Sequence, residues 1–285
     1  MQAQVSGPTP EPPPPSGPSP SDSSKAAQSQ SAGAAASSIA SMIYRMVLIE
    51  FLGKWNAQLA AAATNANFLS GSVSFYNEII KDLADFNLAD SNLNFGSMFP
   101  KTSSGEYTGS AADASKKRDD EVSWAQKQKD QIAKDKTKIA EEQKKLKKEY
   151  DKHDGTITKQ QYDKLNGQLN DLNTSLDKAS ADLSTLINDL NALKFTDDPK
   201  NKGQFTVSGG SMDAVAAAEK KATGDLTGIY NTITNDQTDY TTASTNAQMK
   251  MQLLLSQSGQ IMSALSTIMS LLMQAESVVT QNIKG

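Results

Sequence analysis

Residues 162–193 read YDKLNGQLNDLNTSLDKASADLSTLINDLNAL, and their spacing is the clearest structural signal in the chain. Tyr162, Leu165, Leu169, Leu172, Leu176, Ala179, Leu183, Leu186, Leu190 and Leu193 step by three and four. That rhythm places one apolar stripe on one side of an α-helix and suits it to pack against another helix. Thr158 with Gln161 predicts a capping box at its start, and Asp197-Asp198-Pro199 predicts its stop.

Upstream, residues 116–152 are highly charged. Ile132, Ile139 and Leu146 recur at seven, with Ala125 and His153 in the same phase, while the expected companion positions hold Lys129, Lys136 and Gln143. So thin a stripe predicts a helix that touches a neighbour along one narrow edge. A polar turn at Asp154-Gly155 joins the two segments. Residues 116–194 are therefore expected to form a charged helical hairpin, an antiparallel coiled-coil arm. Its seam is Ile132, Ile139, Leu146, Leu165, Leu169, Leu172, Leu176, Leu183, Leu186 and Leu190.

Two further seams flank the hairpin. Residues 39–86 open with Met42–Leu52, apolar all round except Arg45 and Glu50. Leu52, Trp55, Leu59, Ala62, Ala66, Leu69, Val73, Tyr76, Ile80 and Leu83 follow at three-and-four spacing. Gly53 and Gly71 are weak points, each costing about 1 kcal/mol against Ala in a helix, and a break at Gly71 is expected. Residues 213–285 read as helices broken near Gly224–Gly228. The last of them carries Ala247, Met251, Leu254, Ser258, Ile261, Leu265, Ile268, Leu272, Ala275 and Val279. No charge lies between Met251 and Ala275, and the back of this helix is Ser, Gln and Thr.

The remaining segments connect. Residues 87–115 are rich in Asn, Ser, Gly and Thr, and residues 195–212 hold one strand-like run, 203–208, before Gly209-Gly210. Residues 1–38 contain eight of the ten prolines, all between Pro8 and Pro20. Such a composition cannot bury enough apolar surface to offset its ordering entropy, so a disordered leader is expected. The first Lys is Lys25, which leaves no basic region for a Sec-type signal.

Composition narrows the function. Hydrophobic residues are 37% and aromatics 6% of 285, which fits an elongated all-α chain better than an enzyme core. A net charge of −4 argues against a nucleic-acid partner held by phosphate contacts. There is no cysteine, hence no disulfide, thiolate metal site or cysteine nucleophile. The single histidine, His153, is the one candidate for imidazole chemistry and is expected exposed at a hairpin tip. Calcium-loop spacing around Gly155 puts Tyr150, Lys152 and Gln161 where carboxylates are needed. Ser208-Gly209-Gly210-Ser211 lacks the Lys and spacing of a phosphate loop. No catalytic residue, metal or cofactor is expected, and the chain is read as not an enzyme.

An ordinary surface helix carries charge on its outer face. A neutral Ser/Gln back can instead be enclosed by protein, because amides and hydroxyls are satisfied by hydrogen bonds without the desolvation cost of ions. The N- and C-terminal helices are therefore expected to pair as an elongated antiparallel coiled coil that polymerises, with the hairpin projecting. The self-assembly seam would be Leu52, Trp55, Leu59, Leu69, Val73, Tyr76, Ile80, Met251, Leu254, Ile261, Leu265, Ile268, Leu272 and Val279.

The blocks MIYRMVLIEFLGKWNAQLAAAATNA and NTITNDQTDYTTASTNAQMKMQLLLSQSGQIMSALSTIMSLL carry a family pattern. In them the chain resembles the type III secretion filament and needle-tip-associated subunits of the EspA/SseB kind. The Pro-rich leader and charged hairpin depart from that pattern, and the hairpin is closer to the needle-tip proteins of the LcrV/IpaD kind. The resemblance implies a secreted subunit at the bacterial cell surface that self-assembles as a filament or needle-tip component. It implies a dedicated type III secretion chaperone, and contact with needle and translocator proteins. Two alternatives stand beside it: a membrane-active translocator component, whose membrane contact would run through residues 245–284, and a cytosolic coiled-coil adaptor.

Overall fold

The computed structural model describes residues 42, 45–152 and 157–284. The expected leader at 1–38, His153 and the Asp154-Gly155 turn lie outside the described residues. The chain is all-α with one small sheet. A π-helical turn, Val47–Phe51, leads into α1 (Leu52–Asp82). A 3-10 turn (Ala84–Leu88) and two short helices, α2 (Ala89–Asn92) and α3 (Phe95–Met98), follow. Then come β1 (Tyr107–Thr108), α4 (Ala111–Tyr150), α5 (Lys159–Ala192), β2 (Lys194–Asp197), β3 (Gln204–Ser208) and α6 (Met212–Lys284).

Two compact units divide these elements: residues 58–254, and residues 1–57 together with 255–285. The first is a four-helix bundle with a sheet at one end. Side-chain pairs fix its directions. Lys138 bonds Glu78 at 2.5 Å and also Asp82, while Lys127 bonds Asp85 at 2.8 Å, so α1 and α4 run antiparallel. Gln143 meets Asn170 at 2.7 Å and Lys136 meets Asp177, so α4 and α5 do the same. Lys164–Asp239 at 3.2 Å, Lys178–Asp225 at 2.7 Å and Lys221–Asp182 at 2.6 Å make α5 and α6 antiparallel. Tyr76 of α1 stacks on Tyr240 of α6 with ring centroids 5.2 Å apart, which closes the ring of helices.

The hairpin is therefore not a projecting arm. It supplies two of the four bundle helices, and its seam residues Ile132, Ile139, Leu146, Leu165, Leu169, Leu172, Leu176, Leu183, Leu186 and Leu190 are all buried. Each fully buried aliphatic side chain contributes about 1.5–3 kcal/mol relative to exposure. A thin stripe on α4 did not imply a thin contact, because the companion positions lie in another phase. Glu121, Gln128, Asp135 and Glu142 fill the second file facing the interior. Lys129, Lys136 and Gln143 sit half-buried on the flank.

Local signals account for the ends. Gln161 N–H donates to Thr158 Oγ1 at 3.1 Å, and Thr158 N–H donates to Gln161 Oε1 at 3.0 Å, completing the capping box. Ser110 caps α4 by accepting from Asp113 N–H. The expected stop of α5 at Asp197–Pro199 is displaced: the helix ends at Ala192 and residues 194–197 become a strand. The order is β1-β3-β2, all antiparallel, with Phe195 opposite Val207. The strand forms because Phe195 packs with Phe205 (5.7 Å), Phe95 (5.8 Å) and the Arg118 guanidinium (5.5 Å). Gly209 has φ +76°, and a Cβ there would lie 2.4 Å from the Ala192 carbonyl oxygen.

Residues 87–115, expected as a connection, instead add Ala89, Leu93, Phe95 and Phe99 to the core. Neither expected glycine break occurs: α1 runs through Gly71 and α6 through Gly224 and Gly228. Those glycines are exposed, and tertiary packing on the opposite face offsets their low helix propensity.

Candidate assembly surface

Residues 42–57 and 255–284 have a different character. None of their described side chains is fully buried. Met42, Met46, Ile49, Phe51, Leu255, Met262, Ile268, Leu271, Leu272, Met273 and Val278 are exposed, most of them by about half. Residues 58–254 expose only Leu88, Met98, Met249 and Leu253 among large apolar side chains. Scattered apolar residues on a surface need no explanation, whereas a concentration of this kind marks an interaction site.

The expected seam divides into two groups. Leu69 and Tyr76 are fully enclosed within the bundle, and Val73 and Ile80 pack against its core. These four do not belong to a surface open to a second molecule, because the hairpin covers the face they occupy. Leu52, Trp55, Leu59, Met251, Leu254, Ile261 and Leu265 are half-buried, while Ile268 and Leu272 are exposed. The Val279 side chain lies outside what the structure describes. Phe51 stacks on Trp55 with centroids 6.0 Å apart, and the Trp55 indole N–H has no hydrogen-bond partner.

In α6, seam positions 251, 254, 258, 261 and 265 are half-buried, seam positions 268 and 272 are exposed, and so are Leu255, Met262, Leu271 and Met273 off the seam. The apolar surface of this segment therefore extends beyond one stripe. Its polar residues are Ser, Thr, Gln and Gly from 251 to 275, so enclosing it would strand no ion. No helix among the described residues is long and apolar enough to cross a membrane.

Ionisable groups concentrate elsewhere, inside the bundle. Glu121, Asp135, Glu142, Asp182 and Glu219 are buried. Burial pushes the Glu121 carboxyl up to about 8, with the neighbouring Glu219 adding to the effect. Asp135 is raised to about 6, again chiefly by burial, with Gln131 amide bonds opposing and Asp82 assisting. Burial also raises the Tyr76 and Tyr240 phenols. The Tyr240 hydroxyl donates to Gln168 Oε1 at 2.6 Å, while the Tyr76 hydroxyl has no partner. Glu121, Gln128, Asp135 and Glu142 recur at seven, but their polarity hides this file from a reading of apolar spacing.

Among the described residues there is no group of three or more His, Asp or Glu placed to hold a metal ion. One open surface cleft of about 710 Å³ lies between Asp119, Lys127, Lys134 and Ile187. Comparisons of the chain with protein-family models, with curated proteins and with solved structures find no match.

Proposed function

We propose that the chain is a secreted structural subunit of a type III secretion system, self-assembling as a filament or needle-tip component. The observation that carries this reading is the exposed apolar surface of residues 42–57 and 255–284, free of charge from 251 to 275, in a unit distinct from a bundle whose own core is complete. The ion-free stretch from 251 to 275 is suited to a second copy of itself, since like meets like without stranded charge. The resemblance of the two blocks to EspA/SseB-type subunits supplies the biological setting. In this reading the partners are sister subunits, needle and translocator proteins, and a dedicated chaperone that covers the 251–279 face before export. The chain carries no chemistry of its own.

Sedimentation and negative-stain microscopy of the full chain test the proposal. Wild type is expected to form larger species as concentration rises, and Leu265→Asp to remain a monomer with an unchanged helical signal. A wild type that stays monomeric at millimolar strength overturns the reading. Binding to anionic vesicles by a strictly monomeric chain would transfer the surface to a membrane-active role.

A further inference from the structure

At the sheet end of the bundle, Glu121 of α4 and Glu219 of α6 are buried together, each 4% exposed. We propose that these two carboxyl groups share one proton and form a clasp that holds residues 94–96 against the bundle, and that losing the proton releases the segment. This inference is independent of the assembly reading.

Three backbone N–H groups converge on the pair. Asn94 N–H and Phe95 N–H donate to Glu121 Oε2 at 3.1 and 3.0 Å, and Gly96 N–H donates to Glu219 Oε1 at 2.7 Å. The N–H groups of the adjacent residues Phe95 and Gly96 fall on different carboxyls, which brings the two side chains next to each other. Glu121 Oε1 has no hydrogen-bond partner and is open to one from Glu219. Two anions cannot make that contact, since neither has a hydrogen to give, whereas a carboxylic acid and a carboxylate can. The remaining negative charge then sits on oxygens that already accept three N–H bonds.

Among the described residues no cation forms an ion pair with either glutamate. The covering segment, with Ser91, Asn92, Asn94, Phe95 and Met98, is uncharged. Lys117 and Asp120 of α4 line the adjoining cavity of about 150 Å³. On α6, Lys221 is committed to Asp182 of α5. The segment is also seated closely: a Cβ on Gly96 would lie 2.8 Å from Ala216 Cβ. Burial accordingly raises both acids, Glu121 to about 8. Release proceeds as the acid hydrogen passes to water, leaving two repelling carboxylates that must hydrate. Water enters beside Phe95 as the segment lifts.

Amide hydrogen exchange of the full chain, read by NMR below the assembly concentration, tests the clasp. Protection factors at residues 94–96 are expected to fall about tenfold or more between roughly pH 6 and pH 9, the change one unit of pKa difference supplies. Those at Leu169 and Leu176 should hold. In Glu219→Gln the side-chain amide donates to the Glu121 carboxylate without a proton, and the fall should shrink to less than about twofold. Flat protection in wild type, or an equal fall in the variant, overturns the proposal. Should the variant fail to fold, a ¹³C carboxyl titration of wild type decides: one glutamate titrating near 8 supports the clasp, and all glutamates titrating below about 5 refute it.

Discussion

Residues 158–193 and residues 247–279 carry the same three-and-four apolar spacing, yet the structure uses them differently. In the first, every seam leucine is buried against neighbouring helices, and the flanks hold ion pairs such as Lys178–Asp225 and Lys221–Asp182. In the second, the seam beyond Leu254 is at most half-buried, and Leu271 and Met273 are 58% and 62% exposed. Periodicity thus announces a helix that wants a partner. Whether the chain itself provides that partner depends on what else folds nearby. The charged flanks of 158–193 suit a bundle bathed in water, and the neutral flanks of 251–275 suit enclosure.

Truncating one leucine in each region tests that contrast most severely. Leu176→Ala should lower the unfolding free energy by about 3 kcal/mol in a urea titration, because a closed core cannot collapse onto the cavity. Leu265→Ala should leave the same transition within about 0.5 kcal/mol while weakening assembly. Equal losses at the two sites would erase the distinction between the regions.

A smaller effect probes the polar file that the bundle encloses. Asp135 has its carboxyl raised to about 6, so the folded chain binds a proton that the unfolded chain has already released. Stability from this group is full below the unfolded value near 4 and falls as pH rises through about 6. Asp135→Asn keeps an acceptor for Gln131, which bonds Asp135 at 3.1 and 3.2 Å, and removes the titration. The variant should flatten the stability-versus-pH curve across that window. A wild type whose stability rises between pH 4 and 6 would contradict the burial.

The smallest change sharpens the helical contrast. Gly71 lies inside α1 with open space where a Cβ would stand. Gly71→Ala should stabilise the bundle by about 0.5–1 kcal/mol, measured by the same urea midpoint. A loss instead would show that this face of α1 is covered.

Much of this was legible in the residues. The hairpin seam, the Thr158–Gln161 capping box and the 203–208 strand could be read because each rests on contacts between near neighbours in sequence. Three features were not. The phase of α4 was missed because its second interior file is Glu121, Gln128, Asp135 and Glu142, and polarity disguises burial. The strand at 194–197 depends on pairing with 204–208 and on Phe205, which local spacing does not reveal. The enclosure of Leu69 and Tyr76 depends on the hairpin lying against α1, a long-range choice.

The amino-acid order alone determined that the chain is helical, which residues form each stripe, and where ions are missing, since these follow from backbone period and side-chain polarity. Only the tertiary structure decided which stripes are satisfied within the chain. Four seams competed for partners, and in residues 58–254 short connections and complementary charges let them close on one another. The uncharged 251–275 stretch of α6 has neither, and its apolar face stays open.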